Sequence, residues 1–276
     1  LFPGSGRHGI SRGATGEGVT AMHFGDFDFM TLLPFIGIGF AAQLVDGALG
    51  MAFGVIMNTL LVGVLGVPPA LASQRVHIVE CFTTATSGLS HLFHRNIDFK
   101  LFFRLLIPGV IGGVCGAYLL SNIDAGVVKP FVLTYLTAIG LYLLARGLFY
   151  PPKQREAKYV APLGLAGGFL DAAGGGGWGP VVTSNLLIQG ADPRKVVGTV
   201  NSVEFFLTLT ISAAFIYHLG IADLAGPTLG LLVGGVAAAP FGAWAAKHVP
   251  AKWMLIMVGA VLTLTSAYGV WTAWFK

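Results

Sequence analysis

Four acids sit inside stretches of this sequence that are otherwise apolar: Asp46, Glu80, Asp171 and Glu204. Two of them open the same kind of phrase. Val45-Asp46-Gly47-Ala48-Leu49-Gly50-Met51-Ala52-Phe53-Gly54 and Leu170-Asp171-Ala172-Ala173-Gly174-Gly175-Gly176-Gly177-Trp178-Gly179-Pro180 each place an acid ahead of a glycine-rich break. A helix that breaks at glycines leaves backbone N–H groups without intrahelical acceptors, and the half-helix that follows turns its positive end toward the break. Such an end suits an oxyanion, which is held by several neutral donors. Gly50, Met51, Gly175, Gly176, Gly177 and Trp178 are therefore candidate binding positions. Asn58 and Asn185 add amides close by, beside Thr59, Thr183 and Ser184. Two other readings stand. Glycines also let membrane helices pack closely, and Asp46 and Asp171 can cap half-helices as well as accept a coupling proton.

A second set of polar residues follows each break. His77, Glu80, Thr84, Ser87 and His91 recur in steps of three and four, which puts them on one stripe of a helix. Asn201, Glu204, Thr208 and Ser212 form the matching stripe later in the chain. Two such stripes predict helices that face each other across a central pathway, with interhelical hydrogen bonding as the other reading. Gln74, Arg75 and Asn201 join the candidate binding set, and His77, Glu80 and Glu204 join the two aspartates as candidate coupling or gating groups. Arg75 can hold an anion bidentately, pair with Glu80 or Asp46, or snorkel to the interface. Ionised Glu80 and Glu204 would repel an anion, so they are expected to carry protons for part of a transport cycle, or else to pair with Arg75 or His77. No His, Cys and acid cluster has metal-ligand spacing, the glycine runs lack the Lys-Ser/Thr ending of a phosphate loop, and no nucleophile accompanies His77. No metal, cofactor or catalytic set is expected. Cys81 and Cys115 read as buried, unpaired thiols.

The elements that must position these groups are membrane helices. The chain is 55% hydrophobic and 10% charged, with a mean hydropathy of +0.78. Soluble domains carry about 25% charged residues. Apolar runs of about 20 residues recur from Met30 onward, enough to cross a bilayer core of roughly 30 Å. The net charge of +4 resides in short loops between these runs, so the expected partner is a lipid bilayer and not nucleic acid.

The chain divides into two related halves, 29–150 and 159–276, joined by a linker at 151–158 and preceded by a glycine-rich segment, 1–28, expected to be a disordered leader or extension. Pro68 matches Pro193 at an offset of 125, and Val76, Val79 and Glu80 match Val200, Val203 and Glu204 at 124. Each half contains five apolar segments: 30–48, 50–66, 70–93, 101–120 and 128–149, then 159–173, 177–190, 196–218, 224–246 and 251–275. The segments flanking each break are short for full spans and are expected to be half-helices. An odd number per half inverts the second half relative to the first. Loop charges agree. The loop after the third segment holds Arg95 and Lys100 in the first half and no Lys or Arg at 218–224 in the second; the loop after the second segment reverses this, with none at 66–69 and Arg194 and Lys195 later. The positive-inside rule then makes the basic side cytoplasmic and both termini extracytoplasmic. The expected fold is an all-α integral membrane protein of two inverted-topology repeats. Paired broken segments in two halves mark a transporter's binding site.

The segments "VDGALGMAFG" at 45–54 and "LDAAGGGGWGP" at 170–180, the "GVPP" turn at 66–69 and the "RNIDFKL" loop at 95–101 resemble the TauE/SafE (TSUP) family of sulfite exporters over about residues 30–275. The resemblance implies transport of a small sulfur-containing anion such as sulfite, sulfoacetate, thiosulfate or another organosulfonate across a bacterial cytoplasmic membrane, by a monomer or homodimer; direction differs among members of the family, and export is the expectation here. Alternating access follows from the repeats. A passive anion channel on the same scaffold, or an importer of the same anions, is the alternative.

Overall fold

The computed structural model describes residues 29–51, 53–122, 129–149, 155–221, 224 and 226–275. The segment 1–28, expected to be a leader or extension, and residues 151–154 of the linker lie outside them. Every regular element among the described residues is helical. In the first half these are α1 (Phe29–Leu49), α2 (Phe53–Asn58), which runs on as a π-helical stretch Thr59–Val64, α3 (Pro69–Phe93), α4 (Phe99–Asn122) and α5 (Lys129–Phe149). In the second they are α6 (Val160–Gly174), a π-helical stretch Gly179–Thr183 that leads into α7 (Ser184–Gln189), α8 (Pro193–Leu219), α9 (Pro227–His248) and α10 (Ala251–Phe275).

Starts and stops follow from local chemistry. Proline fixes φ and lacks an N–H, so it is tolerated in the first turn of a helix. It occupies that turn in α3, α8 and α9. Pro69 and Pro193 hold equivalent places in α3 and α8, which corrects the pairing of Pro68 with Pro193 and brings it to the offset of 124 shared by the rest of the stripe. Asp192 caps α8 by accepting from the Arg194 N–H. The first helix of each half ends on glycines with positive φ, Gly50 (71°) and Gly175 (67°), a conformation that carries no Cβ penalty only for glycine.

Leu32–Leu49, Phe99–Leu120, Pro193–Leu219 and Pro227–His248 are each long and apolar enough to cross a membrane by themselves. At 1.5 Å per residue the 25-residue α3 is about as long as these, near 37 Å, but its polar stripe lowers its hydropathy. The stretches Phe53–Val64 and Gly179–Gln189 come to less than about 20 Å and are half-length. The expectation that both helices flanking each break are short holds for three of the four. α1, at 21 residues, is full-length, because its apolar run begins well before the break.

Packing pairs α1 with α9, α4 with α6, α5 with α10 and α3 with α8, with α4 also on α8 and α3 on α9. Two of these contacts rest on glycine. A Cβ on Gly47 of α1 would stand 3.0 Å from Gly242 Cα of α9, and one on Gly168 of α6 would strike the Gly109 carbonyl of α4. Small residues at such crossings let backbones touch, which is how membrane helices gain contact without a hydrophobic drive. The outer surface is apolar. Phe103, Ile107, Phe241, Trp244 and Trp253 are each more than half exposed, a pattern that suits a lipid solvent. Cys115 also faces outward from α4, in contrast to the expected burial, while Cys81 is half-buried and lies 3.5 Å from Ser212 Oγ. An apolar neighbourhood in the sequence does not distinguish a lipid-facing position from a core one.

Candidate functional site

The two polar stripes lie inside, along the α3–α8 contact. His77, Glu80, Thr84, Ser87, His91, Asn201, Glu204, Thr208 and Ser212 are all buried. Parts of the stripes bond to each other, as where Ser87 Oγ donates to Asn201 Oδ1 at 3.0 Å. Asn201 Nδ2 is directed at two carbonyls, Val197 at 3.1 Å and, more weakly, Asp46 at 3.5 Å. Glu80 and Glu204 are different. Each keeps a buried carboxyl oxygen, Oε2, that has no hydrogen-bond partner. Among the described residues neither has an ion-pair partner, so the expected pairing with Arg75 or His77 is not made. Arg75 is half-buried with its Nε enclosed and unbonded.

The two glycine-rich breaks meet. Gly54, in the first turn of α2, and Gly176, with φ of 126°, are so close that a Cβ on Gly54 would fall 2.8 Å from Gly176 Cα and 2.5 Å from Glu80 Oε1. A Cβ on Gly179 would lie 2.8 Å from Met51 Cα. Two side chains clasp the breaks crosswise. Asn58 Nδ2 donates to the Gly174 carbonyl at 2.9 Å, and Thr183 Oγ1 donates to the Gly50 carbonyl at 2.8 Å. Each short helix thus satisfies a carbonyl left over at the end of the other half's first helix.

Both aspartates cap their breaks. Asp46 Oδ1 accepts from the Phe53 N–H at 3.3 Å, and Asp171 Oδ1 accepts from the Trp178 N–H at 2.8 Å, seven residues ahead in each case. Their second oxygens differ. Among the described residues Asp46 Oδ2 has only Gln43 Nε2, at 3.5 Å. Asp171 Oδ2 faces His77 Nε2 at 3.1 Å. His77 Nδ1 stands 2.7 Å from the Ser73 carbonyl, which can only accept, so Nδ1 carries a hydrogen. The bond between Nε2 and Asp171 then requires one more proton, on the ring or on the carboxyl. Ser73 Oγ donates to the Ala172 carbonyl at 2.9 Å, so two residues of α3 are tied to the break of the other half.

The remaining candidates fall into place around this centre. The N–H groups of Met51 and Gly177 lie in the breaks, are buried, and have no hydrogen-bond partner among the described residues. The Gly50, Gly175 and Gly176 N–H groups are taken up by the Asp46 and Asp171 carbonyls that end α1 and α6. Trp178 is fully buried and its indole N–H donates to the Val200 carbonyl at 3.2 Å, so its ring and both donors are engaged in packing. Gln74 reaches away from the breaks to the Gly220 carbonyl at the end of α8. Asn185 Nδ2 donates to the Val181 carbonyl of its own helical run at 2.7 Å. The site offers an unpaired pair of backbone donors, two carboxyls without a cation, and a hydrogen bond between imidazole and carboxyl.

With that geometry in hand, comparison with known proteins is direct. The family model described as "Sulfite exporter TauE/SafE" matches residues 35–269. The chain belongs to the TauE/SafE family. It is 41% identical over 252 residues to "Probable membrane transporter protein YtnM" of Bacillus subtilis (strain 168), covering 88% of this chain and 84% of the relative. It is 23% identical over 208 residues to a "Probable membrane transporter protein" of Haemophilus influenzae, covering 71% and 81%. No solved structure matches the chain. This TauE/SafE protein is therefore a multi-pass membrane protein of a transporter family.

Two contributors to the TauE/SafE centre escape a reading of the sequence. Ser73 lies one helical turn before His77, on the same face, and that spacing is the signal that could have found it. Gly54 looks like one more packing glycine, and only its contact with Gly176 and Glu80 sets it apart.

Proposed function

We propose that this protein carries a small sulfur-containing oxyanion, such as sulfite, thiosulfate or an organosulfonate, out across the bacterial cytoplasmic membrane by alternating access. One observation carries the reading: two glycine-rich breaks, one from each half, close on each other at buried, unpaired N–H donors. Such donors cost free energy when left empty, and an oxyanion is the ligand they suit. The packing favours two related repeats, since swapping the halves exchanges α1–α9 with α6–α4 and maps α3–α8 and α5–α10 onto themselves. Together with the reversed loop charges this supports inverted topology, a cytoplasmic basic face and extracytoplasmic termini.

In this reading the described conformation is closed between the breaks, with Gly54 against Gly176 leaving no room for an ion. Transport requires the halves to part there, breaking the Asn58 and Thr183 clasps and exposing Met51 and Gly177 N–H. Glu80 Oε1 presses on the same point, so it must be neutral or move aside before an anion enters. Arg75, with no carboxylate paired to it among the described residues, is free to meet the anion along the route, and Glu80, Glu204 and the His77–Asp171 pair are the groups that carry coupling protons. The test is flux into proteoliposomes for sulfite, thiosulfate and sulfoacetate. Saturable uptake with counterflow is expected for at least one. Rates equal to those of protein-free liposomes for all three overturn the substrate class, and large conductance without counterflow overturns the carrier mechanism in favour of a channel.

A further inference from the structure

Away from the breaks, at the basic end of the molecule, a cavity of about 350 Å³ opens where the start of α4, the segment before α6 and the α7–α8 corner meet. Lys100, Arg104, Arg155 and Lys195 line it, together with three acids. Two of the acids have capping roles. Asp98 Oδ1 accepts from the Lys100 and Leu101 N–H groups at 2.9 and 3.2 Å, and Asp192 Oδ1 accepts from the Arg194 N–H at 3.0 Å, so each serves as the cap of a long helix. Four cations thus face three carboxylates, a net positive lining, and no Lys or Arg forms an ion pair with a carboxylate among the described residues. The cations are instead aimed by neutral groups. Lys195 Nζ donates to the Arg95 and Ile97 carbonyls at 2.9 and 3.2 Å, and Arg104 donates to the Lys158 carbonyl at 3.3 Å. Carbonyls fix the position of a charge without cancelling it. The Lys100 and Arg155 side chains make no hydrogen bond at all among the described residues.

The surroundings identify what such a cavity would take. α4 enters the apolar region at Phe99, directly beside Lys100. From there Phe99, Phe103, Ile107 and Ile111 recur every four residues along one face, each more than half exposed. Tyr159, 71% exposed, follows the Lys158 whose carbonyl holds Arg104. An apolar stripe therefore leads out of a basic cavity at the membrane boundary. We propose that this cavity binds the phosphate of an anionic phospholipid, with the acyl chains lying along the α4 stripe. Basic pockets between membrane helices on the cytoplasmic side bind such headgroups. The shared chemistry is a phosphate-type oxyanion, and the lipid is the source the stripe selects.

The site stands apart from the breaks and needs no assumption about transport, so its test reads binding alone. Purified protein is exchanged into detergent with phosphatidylglycerol or phosphatidylcholine, and retained lipid is counted by native mass spectrometry, with inorganic phosphate at millimolar concentration as the soluble arm. Phosphatidylglycerol should be retained preferentially. Lys100→Gln and Arg155→Gln, whose side chains hold no structural bond, should keep the melting temperature of the parent yet lose affinity roughly fivefold each and about thirtyfold together. Equal retention of the two lipids, or unchanged retention in the double variant, overturns the site. Retention of inorganic phosphate with no preference for phosphatidylglycerol overturns the lipid as its occupant.

Discussion

Asp46 and Asp171 look interchangeable in the sequence, and the structure makes them unequal in a way that can be measured. Replacing Asp46 with Ala removes the cap on the Phe53 N–H and a weak contact with Gln43. Loss of a cap costs about 0.5–2 kcal/mol. Replacing Asp171 with Ala removes the equivalent cap on Trp178 and also strands His77 Nε2, which is fully buried with Nδ1 already committed to the Ser73 carbonyl. Removing one partner of a buried pair of this kind costs about 3–5 kcal/mol. The caps cancel, so Asp171→Ala should be the more damaging by about 3–5 kcal/mol. At roughly 2–4 °C per kcal/mol for a chain of this size, the gap in melting temperature is about 6–20 °C by scanning fluorimetry in detergent. Asp171→Asn supplies the control. Its amide oxygen can still accept from Trp178 and its NH₂ can donate to a neutral His77 Nε2, so most of the stability should return. Equal melting temperatures for Asp46→Ala and Asp171→Ala would refute the reasoning, and so would an Asp171→Asn protein no more stable than Asp171→Ala.

Other outcomes follow from the same geometry. Gly176→Ala puts a Cβ against the Gly54 and Val55 backbone at a φ of 126°, and should cost several kcal/mol or abolish recovery of folded protein; Gly37→Ala, whose Cβ meets nothing within 4 Å inside α1, should instead raise the melting temperature by a few degrees. Arg75→Gln should leave the melting temperature close to that of the parent, because Arg75 makes no ion pair among the described residues, while weakening anion uptake about tenfold or more through KM; an unchanged KM removes it from the substrate route. Glu80→Gln and Glu204→Gln should each flatten the pH dependence of flux if they carry coupling protons. A pH profile unshifted from that of the parent in both variants would exclude proton coupling through these acids. Asp171→Asn, which keeps its bonds but cannot trade a proton with His77, tests that pair by the same measurement.

The breaks and stripes were legible because they violate their surroundings. An acid beside glycines, or His and Glu inside an apolar run, is costly enough in a membrane that chance does not supply it twice. The expected start of α3, at 70, falls one residue from Pro69, whereas that of α8, at 196, misses Pro193 by three because its first turn holds the polar and basic Arg194 and Lys195. What stayed hidden depends on which residues meet across the halves. His77 and Asp171 are 94 positions apart and belong to different halves, so no periodicity connects them, and the repeat itself misleads, since the residue matching His77 is Asn201 and the two breaks are served by different chemistry. Trp178 reads as a binding residue because it follows four glycines, yet its donors are used internally. Cys115 was misread for a reason peculiar to membranes: lipid and core are both apolar, so composition along a helix does not say which way a side chain points.

The pairing of α1 with α9 has a consequence for how the chain is made. The first described helix, α1, packs on one that begins roughly 180 residues later, at Pro227. At about 5–20 residues per second, α1 waits on the order of 10–35 seconds with Gly39 and Gly47, the surface meant for α9, turned to lipid or to an insertion factor. Mispairing in that interval is a hazard for the whole fold, and substitutions that fill the glycine face of α1 should lower membrane yield during synthesis.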